Sequence, residues 1–203
     1  MNPVLWMLVA ATGATVALLI DRRRKTRELS LDAWAESQGR PVLRDVELSI
    51  LSEVEPLALL PDVFGIERFL PARAESEAAL FLCHCGRGHR PESVLLAVLA
   101  APDWLPHVRI LHHSVRDVPS HLGYVEKEST ALPPSYRVES FADLDPVLLG
   151  AVASALPYAG QPLRIELRPG RILVAIDRGD GDTASLLGEH SQAILRALLS
   201  TRS

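Results

Sequence analysis

An uninterrupted apolar segment occupies the N-terminus of the chain. From Asn2 to Ile20, a stretch of nineteen residues, no side chain is ionisable. At 1.5 Å per residue a helix of that length spans about 28 Å, close to the roughly 30 Å hydrocarbon core of a bilayer. The alternative is a buried helix of a soluble protein, but such a helix usually keeps a polar face. The pattern therefore predicts a transmembrane helix over residues 2–20, with the lipid bilayer as its partner.

A cluster of basic residues follows this apolar segment. A secretory signal would carry its basic residues before the apolar run and a cleavage site after it, so the order here argues against cleavage. Basic residues that flank a span stay on the cytoplasmic side, so we expect the N-terminus outside and everything after Ile20 inside the cell. The localisation predicted from this pattern is the cell membrane, single-pass, with a C-terminal cytoplasmic domain. The basic residues are Arg22, Arg23, Arg24, Lys25 and Arg27.

Small residues form a stripe along the apolar segment. Gly13 lies near Ala10, Ala14 and Ala17 on a helix, and this spacing allows two membrane helices to pack closely. A homo-oligomer that associates through the anchor is therefore one open alternative.

After the basic cluster, short segments rich in strand-forming residues predict hairpins. Residues 78–85 and 93–100 flank a turn marked by glycines and Pro91, so we expect them to pair as antiparallel strands. Residues 108–112 and 136–140 are predicted as further short strands.

The clearest hairpin pattern lies between residues 163 and 177. Two strands with alternating apolar positions flank Pro169-Gly170, which is a favourable turn sequence. In the first strand, the apolar Leu163, Ile165 and Leu167 alternate with the charged Arg164, Glu166 and Arg168.

Three segments show the periodicity of helices. Residues 31–38 follow Ser30 as an N-cap, and residues 144–156 follow Asp143 as an N-cap. Residues 184–199 carry an apolar stripe that predicts a C-terminal helix.

The region from 42 to 71 fits neither period cleanly, and we expect one short helix near residues 47–55. The fold class predicted from these elements is α+β, with a mainly antiparallel sheet and flanking helices. The expected organisation is a transmembrane helix over 2–20, a basic juxtamembrane segment with a short helix over 21–40, and a cytoplasmic domain over 41–203.

Composition excludes two broad classes. Apolar residues make up 48% of the 203 residues and the formal net charge is −4, so the chain can bury a core and is not intrinsically disordered. After Ser30 there are 16 basic and 23 acidic residues, so the domain is acidic, near −7. Nucleic acid is excluded as a partner, because a phosphate-binding surface needs a basic excess.

One local group of residues has the chemistry of a metal site. In the order Cys83-His84-Cys85 with His89, two thiols project from the same side of a strand and a turn brings His89 near them. Zinc prefers such nitrogen and sulfur ligands. The competing interpretation is stronger: Cys83 and Cys85 share an apolar strand face with Phe81, and free cysteine is among the most buried residue types. No cofactor is therefore predicted, and zinc at Cys83, Cys85 and His89 is the alternative.

The sequence lacks the motifs of several other chemistries. The chain has no phosphate-binding glycine loop, dinucleotide fingerprint, nucleophile elbow or His-Glu-x-x-His pair. The acidic sequence over residues 177–182 lacks the spacing of a calcium loop and is interpreted as a solvated turn. No catalytic residue is predicted.

The order of elements resembles a family of bacterial membrane-anchored proteins with a cytoplasmic domain of unknown function. The resemblance covers most of the chain and implies no activity and no catalytic residue. It rests on the N-terminal span, the basic cluster, Trp34-Ala35 with Gly39, the hairpin, Leu105-Pro106 before a strand, and Tyr136-Arg137-Val138 before a helix and the last hairpin.

These features are compatible with two functions. The favoured one is a non-enzymatic, membrane-tethered domain that binds a protein or a small ligand. The alternative is a metal-dependent enzyme or metal sensor that uses the region of Cys83, His84, Cys85 and His89.

Overall fold

The computed structural model describes residues 31–54, 59–60, 62–86, 92–115, 123–156, 162–177 and 181–202. Within these ranges, no helix combines the length and the apolar composition needed to cross a membrane. The transmembrane helix predicted over residues 2–20 and the basic cluster after it lie outside the described residues.

The described residues form one large antiparallel sheet with helices, so the predicted α+β class is confirmed. The strand order is β1-β2-β3-β4-β9-β8-β5-β7-β6, and every neighbouring pair is antiparallel. The strands are β1 (Leu43–Val46), β2 (Val63–Leu70), β3 (Ala79–Cys85), β4 (Glu92–Ala100), β5 (Val108–His112), β6 (Val125–Lys127), β7 (Tyr136–Ser140), β8 (Leu163–Arg168) and β9 (Arg171–Ile176). The helices are α1 (residues 31–37), α2 (Pro146–Ala155) and α3 (Gly181–Ser200), with a 3₁₀ helix at Leu48–Val54.

Both predicted hairpins are present. Strand β3 pairs with β4 along its whole length, from Ala79 opposite Val98 to Cys85 opposite Glu92. Strands β8 and β9 are joined by a tight turn in which Gly170 has a φ of +77°. This backbone conformation favours glycine, because a side chain there is strained.

Some element boundaries differ from the expected ones. Helix α2 begins at Pro146 and its N-cap is Asp145, whose Oδ1 accepts a hydrogen bond from the Val147 amide at 2.8 Å. The predicted cap, Asp143, is instead exposed and pairs with Lys127. Proline at the first helical position follows its cap directly, and this favours the later start. The structure also contains β1, β2 and β6, which the sequence pattern did not predict.

The central strands of the sheet are buried on both faces. On one, which we call the helix face, Leu82, Leu95 and Val174 pack with residues of all three helices in one core. Helix α1 belongs to this core, because Leu31 and Ala35 are fully buried in it. The segment that follows the basic cluster is therefore packed onto the sheet from residue 31 onward.

The other side of the sheet, the opposite face, divides into two halves. Its apolar half lies on β2, β3, β4 and β9, where Ile66, Phe81 and Leu96 pack with Leu51 of the 3₁₀ helix and with Leu59. Its charged half lies on β5, β7 and β8, and consists of Arg109, Arg137, Glu139, Arg164, Glu166 and Arg168.

Candidate functional site

The two cysteines are part of the apolar half of the opposite face. Cys83 and Cys85 are 0% and 1% exposed on β3, in one cluster with Phe81 and Val94. Burial raises the pKa of both thiols, that of Cys85 to about 12. Because a metal ligand must be the thiolate, a metal here would first have to displace protons that burial holds tightly.

The histidine between the cysteines faces away from them. His84 Nε2 lies 3.0 Å from Glu67 Oε2, and the His84 ring stacks on Phe64 with a centroid distance of 6.0 Å. Adjacent strand residues project to opposite faces, which is why the structure does not bring His84 to the thiols.

His89 lies outside the described residues. Within the part of the chain that the structure describes, no group of three or more His, Cys, Asp or Glu side chains is placed to hold a metal ion. Zinc binding by Cys83, Cys85 and His89 therefore stays an untested alternative.

The charged half contains a row of opposed residues across three strands. Arg109 on β5 lies directly opposite Glu166 on β8 and Glu139 on β7. Their exposed fractions are 1%, 1% and 9%, so the row is buried. Arg109 donates a hydrogen bond to Glu139 Oε2, and Arg137 donates to Glu139 Oε1 at 3.2 Å. Buried charges persist only when they are paired in this way, because each isolated charge is costly to remove from water.

An aromatic column covers this row and extends to the solvent. The Arg109 guanidinium lies 4.4 Å from the centroid of the Tyr124 ring, which is a cation–π contact. The ring of Phe141 stacks on that of Tyr124, with 4.3 Å between the ring centroids, and Phe141 is 50% exposed. The column therefore shields the ion pair of Arg109 from water while leaving one aromatic ring at the surface.

Glu166 is the most perturbed carboxyl of the charged half. Burial raises its pKa to about 7, and the neighbouring guanidinium groups of Arg168 and Arg109 partly oppose this rise. Tyr124 Oη lies 3.4 Å from Glu166 Oε1, whereas Oε2 has no hydrogen-bond partner among the residues that the structure describes. This carboxyl can therefore gain or lose a proton near neutral pH.

Arg164 joins the two halves of the opposite face. Its Nη1 donates to the Leu59 carbonyl at 3.2 Å and its Nη2 donates to Asp177 Oδ1. The side chain is 3% exposed. It thereby fixes the segment around Leu59 against the last hairpin.

The sequence interpretation did not identify the charged half. The sequence nevertheless contains a pattern typical of such a surface. In three strands, charged residues occur at alternate positions or interrupt an apolar run. Paired charges on adjacent strands produce this pattern, but which strands are adjacent is decided only by the strand order. The residues concerned are Arg109 in β5, Arg137 and Glu139 in β7, and Arg164, Glu166 and Arg168 in β8.

Comparison with known proteins gives a likeness of fold. No protein-family model matches the chain, and neither does any curated protein. Among solved structures, the chain is similar to the crystal structure of the mycobacterial trehalose monomycolate transport factor A, TtfA. The TM-score is 0.53 at 14% sequence identity, and the likeness covers 83% of this chain and 94% of that one. The two chains share a fold.

Proposed function

We propose that this chain is a membrane-tethered accessory factor of bacterial transport, whose cytoplasmic domain binds a protein or a small molecule and performs no catalysis. The observation that carries the proposal is the likeness in fold to TtfA, which extends over most of both chains. That protein is named a transport factor for trehalose monomycolate. We extend to this chain the class of role and the class of cargo, an envelope lipid, but not the particular lipid.

The predicted anchor supports this role. Residues 2–20 and the basic cluster after them would hold the domain at the inner surface of the membrane. The domain that follows is acidic, and an anionic membrane surface repels it. A domain that is tethered but repelled is suited to contact a membrane protein or a diffusing molecule instead of lying on the lipid.

The arrangement of the charged half also favours binding over catalysis. Glu139 is occupied by Arg109 and Arg137, and Glu166 is covered by Tyr124. A general base needs access to the proton that it removes. These carboxyls lie within the sheet packing, so they support the structure of the domain in this proposal.

Complementation in the source bacterium tests the proposal. The gene is deleted, and the full chain or residues 29–203 alone are returned at equal expression. The export of isotope-labelled envelope lipid is measured together with total lipid synthesis. We expect export to fall on deletion with synthesis unchanged, and to recover with the full chain but not with residues 29–203.

A matched control separates tethering from other roles of the anchor. Residues 29–203 fused to an unrelated single-pass anchor of the same orientation should restore export. Unchanged lipid export in the deletion strain would overturn the proposal.

A further inference from the structure

A polar cleft lies between α1 and α3, on the side of the sheet away from the charged half. Its volume is about 160 Å³. Trp34 and Gln38 line one wall, Gln192 and Gly188 of α3 line the other, and Arg40 is also part of the lining. One aromatic residue therefore lines a small space together with hydrogen-bonding side chains and the small residues Ala78 and Ala184.

The charges around the cleft balance. Arg73 and Glu77 pair through two contacts, with Nη2 to Oε1 at 2.6 Å and Nε to Oε2 at 3.0 Å. Arg40 and Glu189 supply the second positive and the second negative charge. A site for phosphate or another strong anion would carry an excess of positive charge. The balance therefore favours an uncharged ligand that both donates and accepts hydrogen bonds.

Arg40 is held in place by its hydrogen bonds to the backbone. Its Nη2 donates to the carbonyls of Leu70, Pro71 and Ala78 at 3.1, 3.1 and 2.8 Å. Its Nε is buried and has no hydrogen-bond partner among the described residues. The guanidinium also lies 6.0 Å from the centroid of the Trp34 ring. A rigid guanidinium beside an aromatic ring gives the cleft a preformed polar wall and a preformed apolar wall.

We propose that this cleft binds a neutral polyhydroxylated ring, that is, a sugar. The C–H face of such a ring packs on an aromatic side chain, here Trp34. Its hydroxyl groups accept hydrogen bonds from guanidinium and amide donors and donate to carboxylate and amide oxygens, here those of Gln38, Glu77 and Gln192. This inference is argued from the residues that line the cleft and does not depend on the proposed role in transport. The same sugar chemistry is available from a free saccharide or from a glycolipid headgroup.

Two glycines provide a matched pair of variants. A Cβ added at Gly188 or at Gly150 would meet no heavy atom within 4 Å, so a side chain has room to begin at either position. Replacing glycine inside a helix also improves helix propensity. Gly188 lines the cleft, whereas Gly150 lies exposed on α2. Gly188→Leu therefore fills the cleft, and Gly150→Leu is the control.

The test uses the full chain purified in a detergent without a sugar headgroup. Binding of glucose, a single ring suited to the volume of the cleft, is measured by ligand-detected saturation-transfer NMR, with inorganic phosphate as the competitor. We expect saturable binding in the millimolar range, weakened by at least about tenfold in Gly188→Leu and unchanged within about twofold in Gly150→Leu. Phosphate should not compete.

A second arm identifies the source of the sugar. A glycolipid with a single glucose headgroup is presented in phosphatidylcholine vesicles, and sedimentation of each variant with the vesicles is measured. Binding that depends on Gly188 only in this arm assigns the site to a headgroup, and binding in both arms assigns it to the sugar itself. The proposal is overturned if neither form binds, if Gly188→Leu binds as the wild type does, or if phosphate displaces the sugar.

Discussion

Arg109 and Glu139 lie directly opposite each other on β5 and β7, and their side chains form a buried ion pair on the sheet. On its other side Arg109 is opposed by Glu166 of β8, so one guanidinium stands between two carboxyl groups. Antiparallel pairing brings such opposed side chains within about 5 Å of one another. The stability of this region should therefore depend strongly on Arg109.

Replacing Arg109 by Met tests this dependence. We expect Arg109→Met to lower the free energy of unfolding by about 3 to 5 kcal/mol, because Glu139 would remain buried with its principal partner lost. Urea denaturation of residues 29–203 followed by circular dichroism measures the change. Lys127→Met is the control, since its pair with Asp143 is exposed and should not alter the denaturation midpoint. Equal midpoints for Arg109→Met and the wild type would contradict the assigned ion pair.

Glu166 should make stability depend on pH near neutrality. Its pKa in the folded state, about 7, is above the ordinary value of 4.5. The folded state therefore binds the proton more tightly than the unfolded state. The resulting stability is fully present below about pH 4.5 and is lost as the pH rises to about 7.

The variant Glu166→Gln removes this titration while keeping the shape of the side chain. The difference in unfolding free energy between wild type and variant should change by about 3 kcal/mol from pH 4.5 to 7.5, with the wild type losing stability relative to the variant. Glu126→Gln, at the exposed end of the same row, should show no such change. A pH-independent difference for Glu166→Gln would show that its carboxyl titrates normally.

Substitution of Cys83 and Cys85 distinguishes a core role of these residues from a metal site. If Cys83 and Cys85 are core residues, each change to Ala should lower the unfolding free energy by about 1 to 2 kcal/mol. His89→Ala should then have little effect, and a chelator should leave the melting temperature unchanged. Elemental analysis of the purified protein is the direct measurement. One equivalent of tightly bound zinc that is lost in Cys83→Ala would instead establish the metal site.

The orientation of the anchor can be measured with reporters. A reporter that is active only in the cytoplasm should work when fused after Ser203, because basic residues stay on the cytoplasmic side. Neutral replacements of Arg22, Arg23, Arg24 and Lys25 should weaken this orientation. Activity of a periplasm-specific reporter on the unmodified chain would reverse the predicted topology.

A buried charge in the last hairpin tests the register of β9. Val174 is fully buried on the helix face. Val174→Asp should therefore prevent folding of residues 29–203, because an unpaired buried carboxylate costs several kcal/mol. The matched control is Val125→Asp, at an edge-strand position that is 57% exposed, which should melt near the wild-type temperature. The melting curves of the two variants are compared by differential scanning calorimetry.

Local patterns predicted the elements whose signals lie within a few neighbouring residues. The turn at Gly170 and the apolar positions around it specify the β8–β9 hairpin, and the expected strands over 108–112 and 136–140 match β5 and β7. The helical stripe after Ser30 likewise predicted α1. In each case the periodicity and the turn residues that predict the element lie within a short stretch of the sequence.

Elements without such a signal were missed. Strand β1 contains Asp45 at a φ of +50°, and β2 contains irregular pairing around Gly65, so neither alternates regularly. Strand β6 is only three residues long. The extended conformation of these strands depends on pairing with a neighbouring strand. The pattern of apolar and polar residues within each segment does not show this pairing.

The sequence by itself determined the class of fold, the hairpins, the acidic domain and the apolar N-terminal segment, because each follows from local order or composition. Only the tertiary structure decided that Arg109, Glu139 and Glu166 form one buried row and that Trp34 and Gly188 face the same cleft. The charged positions of β8 resembled a solvent-exposed face, yet they are buried. The physical reason is that burial of a strand face depends on what packs above it and on which strands lie beside it, and these relations join residues far apart in the chain.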